Sequence, residues 1–263
     1  MLDLPHADPP RDRWGRPVID GNTYTRVSTL AKVLDDTRAL MLWNARITAL
    51  GLARSEDLIA AIATTDPDDK QKLNKIVAQA QERAQSTAKA TIGTAIHAAT
   101  EILDRGGDLD GLPDKVKGAA NAYRDTMARW NLEPLAAELF VVNREADAAG
   151  TFDRLLQGPN RAVIMDIKTS ANPDTAEWAG LAWALQLATY ARAKPWLPGR
   201  GIVDWADLGL PTPDLDRGLI VHILQGTGQV RLFSVDLRAG WIAAQLARDV
   251  IAVRKVKPTT EVA

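Results

Sequence analysis

The pattern of apolar residues changes near Glu138, and no other feature of the sequence constrains the fold as strongly. Over residues 24–130, apolar side chains recur at the spacing of amphipathic helices. Three short apolar runs then follow one another at residues 139–142, 150–156 and 162–167. Runs of this length with turn residues between them are typical of neighbouring strands. The sequence therefore predicts an α/β chain in which helices precede a three-stranded antiparallel meander.

The residues after the meander predict a helix, a hairpin and a final helix. The helix covers about residues 175–193. Two strand-like runs, 218–224 and 230–235, flank a Gly-Thr-Gly sequence at 226–228, which is a hairpin signal. Apolar residues then return to helical spacing before the polar end of the chain. The prediction is therefore an α/β fold with a helical N-terminal portion and a meander extended by further strands.

The sequence contains no internal repeat and no linker long enough to separate two domains. We predict an irregular arm over residues 1–23, because prolines and glycines punctuate it throughout. A single domain follows over residues 24–255, mainly helical over 24–132 and mixed over 133–255. Residues 256–263 form a polar tail.

Within the helical part, the sequence predicts one long polar helix. Asp66 followed by proline is typical of a helix start, and the Lys-, Gln- and Ala-rich stretch after it continues toward Ile92. Gly93 then interrupts the pattern, so that residues 94–103 are expected to form a separate helix.

The composition excludes several classes of protein. The chain has no cysteine, which excludes disulfides, a catalytic thiol, a Cys-ligated zinc site and an iron–sulfur cluster. The 32 basic and 33 acidic side chains give a net charge of −1, whereas a protein that coats nucleic acid is normally basic. No apolar stretch approaches the roughly 18 residues of a membrane span, and residues 1–13 do not resemble a signal peptide. We therefore expect a soluble cytoplasmic protein without membrane contact.

The third strand-like run carries an acid and a base in an otherwise apolar sequence. Asp166 and Lys168 are two residues apart, so strand alternation places them on the same face of the sheet. A buried charge is costly unless it is paired or bound to a metal. This pair is therefore either a structural ion pair or part of an active site.

A second acid precedes this pair. Asp153 lies on the preceding predicted strand, after Gly150-Thr151-Phe152, and is expected to lie across from Asp166. Two converging carboxylates repel each other unless a cation lies between them. Since carboxylates are hard oxygen ligands, the cation would be Mg²⁺ or Mn²⁺.

Two helical motifs accompany the acids. His97 lies one turn after Gly93, although a lone helical histidine is more often structural than a ligand. Gln186 and Tyr190 are spaced i and i+4, so they share one face of the helix that follows Lys168. Taken alone, Tyr190 fits a core position equally well.

The order of these motifs resembles the PD-(D/E)XK nuclease superfamily, and within it the RecB-type exonuclease branch of phages and bacteria. The motifs are Gly-x-x-x-His at 93–97, Gly-Thr-x-Asp at 150–153, Asp-x-Lys at 166–168 and Gln-x-x-x-Tyr at 186–190. The resemblance covers roughly residues 24–253. Some relatives carry an iron–sulfur cluster on four cysteines, so this chain resembles the members without a cluster.

The resemblance implies a restriction-endonuclease-like core and a bound Mg²⁺ or Mn²⁺. The side chains of His97, Asp153 and Asp166, with the backbone carbonyl of Ile167, would ligate the metal.

The resemblance also implies roles for residues around the metal. Lys168 would position or help to deprotonate the attacking water, and would offset negative charge in the transition state. Gln186 and Tyr190 would hold the substrate strand or brace the site. Glu138 matches an acid that lies in or near the site in the family.

The activity implied is metal-dependent exonucleolytic hydrolysis of DNA, at duplex ends or on single strands, in recombination, repair or phage DNA processing. Two alternatives stay open on the sequence alone. One is a nicking or structure-specific endonuclease with the same site, and the other is a catalytically inactive module that binds DNA ends. A recombination protein or further copies of the chain are the partners to expect besides DNA.

Overall fold

The computed structural model describes residues 1–2, 8–84, 86–158 and 161–259. Residues 3–7 of the predicted arm, residues 159–160 of the turn after the second predicted strand and residues 260–263 of the tail lie outside this description. The helices are α1 (Val27–Leu30), α2 (Arg38–Ala53), α3 (Glu56–Ala63), α4 (Lys70–Arg83), α5 (Ser86–Asp104), α6 (Asp114–Arg129), α7 (Thr175–Ala191) and α8 (Leu237–Val253), with a 3₁₀ turn at Trp205–Leu208. The strands are β1 (Val18–Ile19), β2 (Asn22–Thr23), β3 (Thr25–Arg26), β4 (Pro134–Asn143), β5 (Ala148–Leu156), β6 (Val163–Ser170), β7 (Lys194–Leu197), β8 (Gly201–Ile202), β9 (Arg217–Leu224) and β10 (Gln229–Asp236).

An eight-stranded mixed sheet flanked by helices forms the centre of the fold. Seven strands lie in the order β10-β9-β6-β5-β4-β7-β8, and β3 pairs with β5 outside this path. Strands β4, β5 and β6 are antiparallel neighbours, which confirms the predicted meander. Strand β9 is parallel to β6, with α7 in the connection between them, and it forms the predicted hairpin with β10.

Helices α7 and α8 pack on each other and, with the sheet, enclose the main hydrophobic core. Strand side chains such as Phe152 and Ile164 meet Leu187 of α7 and Leu237 of α8 in this core. The two helices approach closely at Gly240, where a Cβ atom would lie only 2.1 Å from the Ala184 carbonyl oxygen. Glycine is therefore the residue that lets α8 pack against α7 here.

The chain divides into two compact units, where the sequence predicted one domain over residues 24–255. The first unit contains the described parts of residues 1–35 and 97–263, including the sheet. The second contains residues 36–96. It has its own small core of Leu58, Ile76 and Ala80.

The helices of the second unit differ in their bounds from the prediction. Helix α4 begins at Lys70 rather than at Pro67, because the carboxylate of Asp69 accepts the Lys72 N–H and caps the helix. The predicted long helix toward Ile92 is two helices, α4 and α5. Gly93 does not interrupt α5, which runs continuously from Ser86 to Asp104.

The described part of the predicted irregular arm is folded. Strands β1 and β2 pair with each other, and Arg11 and Pro17 form an isolated bridge. Ile19 packs with Phe140 and Val142 of the sheet in a second small core. Apolar anchoring of this kind was not apparent in a segment dominated by proline and glycine.

None of the described helices combines the length and the apolar character needed to cross a membrane.

Candidate active site

Asp153 and Asp166 face each other across β5 and β6. The antiparallel register pairs Arg154 with Met165. Asp153, which precedes Arg154, therefore lies opposite Asp166, which follows Met165. Oδ2 of Asp153 accepts a hydrogen bond of 2.7 Å from the backbone N–H of Ile167. The structure thus brings together the two acids that the sequence placed on neighbouring strands.

Lys168 and Gln186 join Asp166 in a closed set of polar contacts. The Lys168 ammonium lies 2.5 Å from Oδ2 of Asp166 and donates a hydrogen bond of 2.9 Å to Oε1 of Gln186. Nε2 of Gln186 in turn donates to Oδ1 of Asp166 at 3.2 Å. Alternation along β6 places the acid and the base on one face, and α7 supplies the amide that contacts both.

Tyr190 contacts this set from one turn farther along α7, and both Tyr190 and Gln186 line the cleft that holds the acids. Its side chain is buried, and its ring packs edge-on against Phe152. Its hydroxyl accepts a long hydrogen bond of 3.4 Å from Nε2 of Gln186. A Cβ atom at Gly150 would lie 3.3 Å from the same hydroxyl, so β5 packs tightly against Tyr190 at this point. Of the two roles implied for Tyr190, the burial favours bracing the site.

His97 lies beside Asp153. Its Nδ1 atom is 3.5 Å from Oδ2 of Asp153. Burial lowers the pKa of His97; attraction by Asp166 and a hydrogen bond to the backbone of Ile167 oppose this shift, while repulsion by Lys168 adds to it. The ring is therefore neutral near pH 7, which is the form that ligates metal ions.

The two aspartates are more easily protonated than exposed ones. Burial raises the pKa of Asp166 to about 6, and the charge of Asp153 adds to this effect, although Lys168 opposes it. Burial likewise raises the pKa of Asp153. Burial alone would lower the pKa of Lys168, but the attraction of Asp166 and Asp153 outweighs it and raises the pKa above its usual value. The site therefore holds an ammonium beside two carboxylates that repel each other.

These side chains line a cleft of about 340 Å³ within the first unit. Asp153, Asp166 and Lys168 form part of its wall. Arg11 and Arg26 also line it, and both come from the N-terminal segment rather than from the sheet motifs. The cleft thus combines an acidic pair with guanidinium groups suited to an anionic ligand.

Arg154 is a buried residue next to the site, and the sequence did not predict its role. Only 1% of its side chain is exposed. It donates to Oδ2 of Asp104 at 2.6 Å and to the backbone carbonyl of Asp153 at 2.7 Å. Tyr123 donates to the same Asp104 carboxylate at 2.9 Å, so α5, α6 and β5 are connected by one buried network. No local pattern could have identified it, because Asp104 and Tyr123 are distant in sequence.

Glu138 contacts this network and is not among the described residues that line the cleft. Nη1 of Arg154 donates to its Oε1 at 3.3 Å. Burial and the charge of Asp153 raise the pKa of Glu138 to about 7, although Arg154 opposes the shift. The backbone of Glu138 has φ of 49°, a strained value for a strand residue that is not glycine. The acid predicted in or near the site thus lies beside it, held by Arg154.

The donors at the site suit a hard divalent cation, although they are not arranged as a finished set of ligands. Oδ2 of Asp166 is buried and accepts no well-aligned hydrogen bond in the described structure, with the Lys168 ammonium as its close neighbour. The carboxylate oxygens of Asp153 and Asp166 suit Mg²⁺ and Mn²⁺, whereas an imidazole is a less usual ligand of these two cations. Among the described residues, no three His, Asp or Glu side chains already have the spacing of metal ligands. The chemistry of the donors therefore fits, and the side chains would have to adjust to complete a site.

Comparisons with known proteins assign no family. No family model matches the sequence, and no curated protein matches it. A solved structure described as "Crystal structure of SSO0001" is 16% identical, with a TM-score of 0.28 and an alignment that covers 52% of this chain. The alignment spans 56% of that solved chain, and a likeness this weak carries no argument about function.

Proposed function

We propose that this chain is a metal-dependent deoxyribonuclease of the PD-(D/E)XK type that acts as an exonuclease on DNA. The observation that carries the proposal is the arrangement of Asp153 and Asp166 opposite each other with Lys168 in the same cleft. The order of these residues along the sequence resembles the motif order of that superfamily, which supports the proposal. The RecB-type resemblance is the reason for proposing an exonuclease.

The residues of the cleft suit hydrolysis of a phosphodiester. Lys168 is an ammonium held by Asp166 and Gln186, so it contributes positive charge where negative charge develops on the phosphoryl oxygens. Its raised pKa favours this role over that of a base. Gln186 fixes Lys168 and Asp166 relative to each other, since its amide contacts both.

The metal ligands in this proposal are the side chains of His97, Asp153 and Asp166 with the carbonyl of Ile167. These residues would hold Mg²⁺ or Mn²⁺, which would supply a coordinated water of lowered pKa and would polarise the phosphoryl group. Asp153 and Asp166 can carry two negative charges, and Lys168 carries one positive charge. A bound cation would neutralise the excess negative charge.

The proposal is tested by incubating the full chain with three substrates: end-labelled linear duplex, single-stranded DNA and covalently closed circular DNA. Each is incubated with Mg²⁺, with Mn²⁺ and with EDTA. We expect metal-dependent shortening of linear DNA, with the circle left intact. The position of the label then reports the polarity of digestion.

The other outcomes correspond to the alternatives. Nicking of the closed circle would show that the activity is that of an endonuclease with the same site. Absence of cleavage with either metal, together with DNA binding, would replace the enzyme by a DNA-end-binding module.

A further inference from the structure

The N-terminal segment contains a rigid turn over residues 12–16. The carboxylate of Asp12 accepts the backbone N–H groups of Trp14 and Arg16, both at 2.9 Å. Gly15 completes the turn with φ of 75°, and Arg11 donates to its carbonyl oxygen at 3.1 Å. The turn is therefore ordered by its own hydrogen bonds before any ligand binds.

The turn presents an exposed tryptophan between arginines. Trp14 is 62% exposed, although burial of an indole is one of the most favourable side-chain contributions to folding. The guanidinium of Arg13 lies 3.9 Å from its ring centre, and that of Arg16 lies at 4.9 Å. The Nε–H group of Arg16 donates a hydrogen bond of 2.8 Å to Oδ2 of Asp12, which holds the Arg16 side chain in place.

The position of the turn connects it with the candidate active site. Arg11 and Pro17, the residues on either side of the turn, both line the cleft that contains Asp153 and Asp166. They also form a bridge with each other, so the turn projects from the cleft wall. Arg26, farther along the same segment, lines the cleft as well.

We infer that Trp14 is a stacking platform for a nucleobase of single-stranded DNA, beside the strand position that enters the cleft. This inference rests on the proposed function and names how its substrate is held. Aromatic side chains bind single strands by stacking on bases, and arginines beside them contact the phosphates. The base stacks in place of the guanidinium of Arg13, and this exposed residue then contacts the adjacent phosphate. Arg26 holds the backbone as it enters the cleft, since the guanidinium of Arg11 is already engaged by Asp8 and the Gly15 carbonyl.

The test is binding of fluorescein-labelled strands of about 15 nucleotides, measured by anisotropy in EDTA so that no cleavage occurs. One strand is oligothymidylate, and the other has the same length and charge but abasic residues. The proteins are the wild type, Trp14→Ala and, as a matched control, Trp130→Ala, whose tryptophan is 60% exposed elsewhere on the first unit. Thermal unfolding of each variant verifies that it is folded.

The wild type and Trp130→Ala are expected to bind oligothymidylate about tenfold more tightly than the abasic strand. Trp14→Ala is expected to bind oligothymidylate about tenfold more weakly than the wild type and to lose the preference for bases. The dependence of affinity on salt stays unchanged in Trp14→Ala, since no phosphate contact is removed.

Two results would show that Trp14 is not a stacking platform. Equal discrimination between the strands by Trp14→Ala and the wild type would show that Trp14 stacks on no base. Equal weakening of both strands in Trp14→Ala would show that it acts on the backbone instead. Since both are binding results, cleavage of linear DNA by the wild type would leave the proposed function standing in either case.

Discussion

Asp153 accepts a hydrogen bond of 2.7 Å from the backbone N–H of Ile167, across the pair of strands β5 and β6. The carboxylate is thereby fixed to the strand that carries Asp166 and Lys168. The proposed function requires the negative charge of Asp153, whereas the hydrogen bond to Ile167 requires only an acceptor oxygen. The two contributions can be separated by substitution.

Asp153→Asn keeps an acceptor oxygen but removes the charge. We expect it to lower the rate of DNA cleavage by about 100-fold or more while the melting temperature stays at or above that of the wild type. The stability is maintained because burial already disfavours the ionised form of Asp153. Asp153→Ala, which loses the acceptor as well, should lower both activity and melting temperature. Equal stability of the two variants would show that the Ile167 contact does not contribute.

Glu138 should make the stability of the protein depend on pH. Its pKa is raised from 4.5 to about 7, so the folded chain binds its proton more tightly than the unfolded chain. Stability therefore falls as the pH rises from about 4.5 to about 7 and stays lower above it. Glu138→Gln removes this dependence. The free energy of unfolding of Glu138→Gln minus that of the wild type should therefore increase by up to about 3 kcal/mol between pH 4.5 and pH 8.

Urea unfolding at pH 5 and pH 8 measures this difference. Glu133→Gln, an exposed substitution, serves as the control and should show no such change. A difference between Glu138→Gln and the wild type that is the same at both pH values would contradict the raised pKa.

Arg154→Met should be strongly destabilising. It leaves the carboxylate of Asp104 buried without its cation, which typically costs about 3–5 kcal/mol. Adding Asp104→Asn to this variant should recover part of the loss, because the uncompensated charge is removed. Arg238→Met breaks an ion pair with Asp216 whose side chains are 73% and 53% exposed, and should leave the melting temperature nearly unchanged. Similar losses in the two arginine variants would contradict the buried network.

Two glycines in neighbouring helices should respond to alanine in opposite directions. A Cβ atom at Gly240 would meet the Ala184 carbonyl oxygen at 2.1 Å, so Gly240→Ala should cost about 1–3 kcal/mol through displacement of α8 from α7. Gly180 in α7 has no atom within 4 Å of such a Cβ, and Gly180→Ala should stabilise the helix by about 0.5–1 kcal/mol. Chemical denaturation gives both values, and a stabilising Gly240→Ala would contradict the close packing of these helices.

The sequence predicted the meander, the following helix and the last hairpin, because their apolar periods and turn residues are local signals. The same periods placed Asp166 and Lys168 on one face and Asp153 on the adjacent strand. Gly93 misled the prediction because an isolated glycine weakens a helix by only about 1 kcal/mol, which the rest of α5 outweighs.

Other features depend on contacts between distant residues. From the sequence alone, Arg154 is only a polar residue of a predicted strand. The fold shows that Asp104 lies against it. The N-terminal segment is anchored by few apolar residues, among them Ile19, which packs with Phe140 and Val142. The separate unit over residues 36–96 has a core of few residues, which no change of composition marks.

Asp166→Asn tests whether the buried acids and Lys168 form a nuclease site. The measurement is the initial rate of hydrolysis of end-labelled linear duplex with Mg²⁺, for the wild type, Asp166→Asn and the exposed control Asp174→Asn. Asp166→Asn should lower the rate by at least about 100-fold while it binds the same DNA, and Asp174→Asn should leave the rate unchanged. Equal hydrolysis by Asp166→Asn and the wild type would show that these buried acids are not a nuclease site.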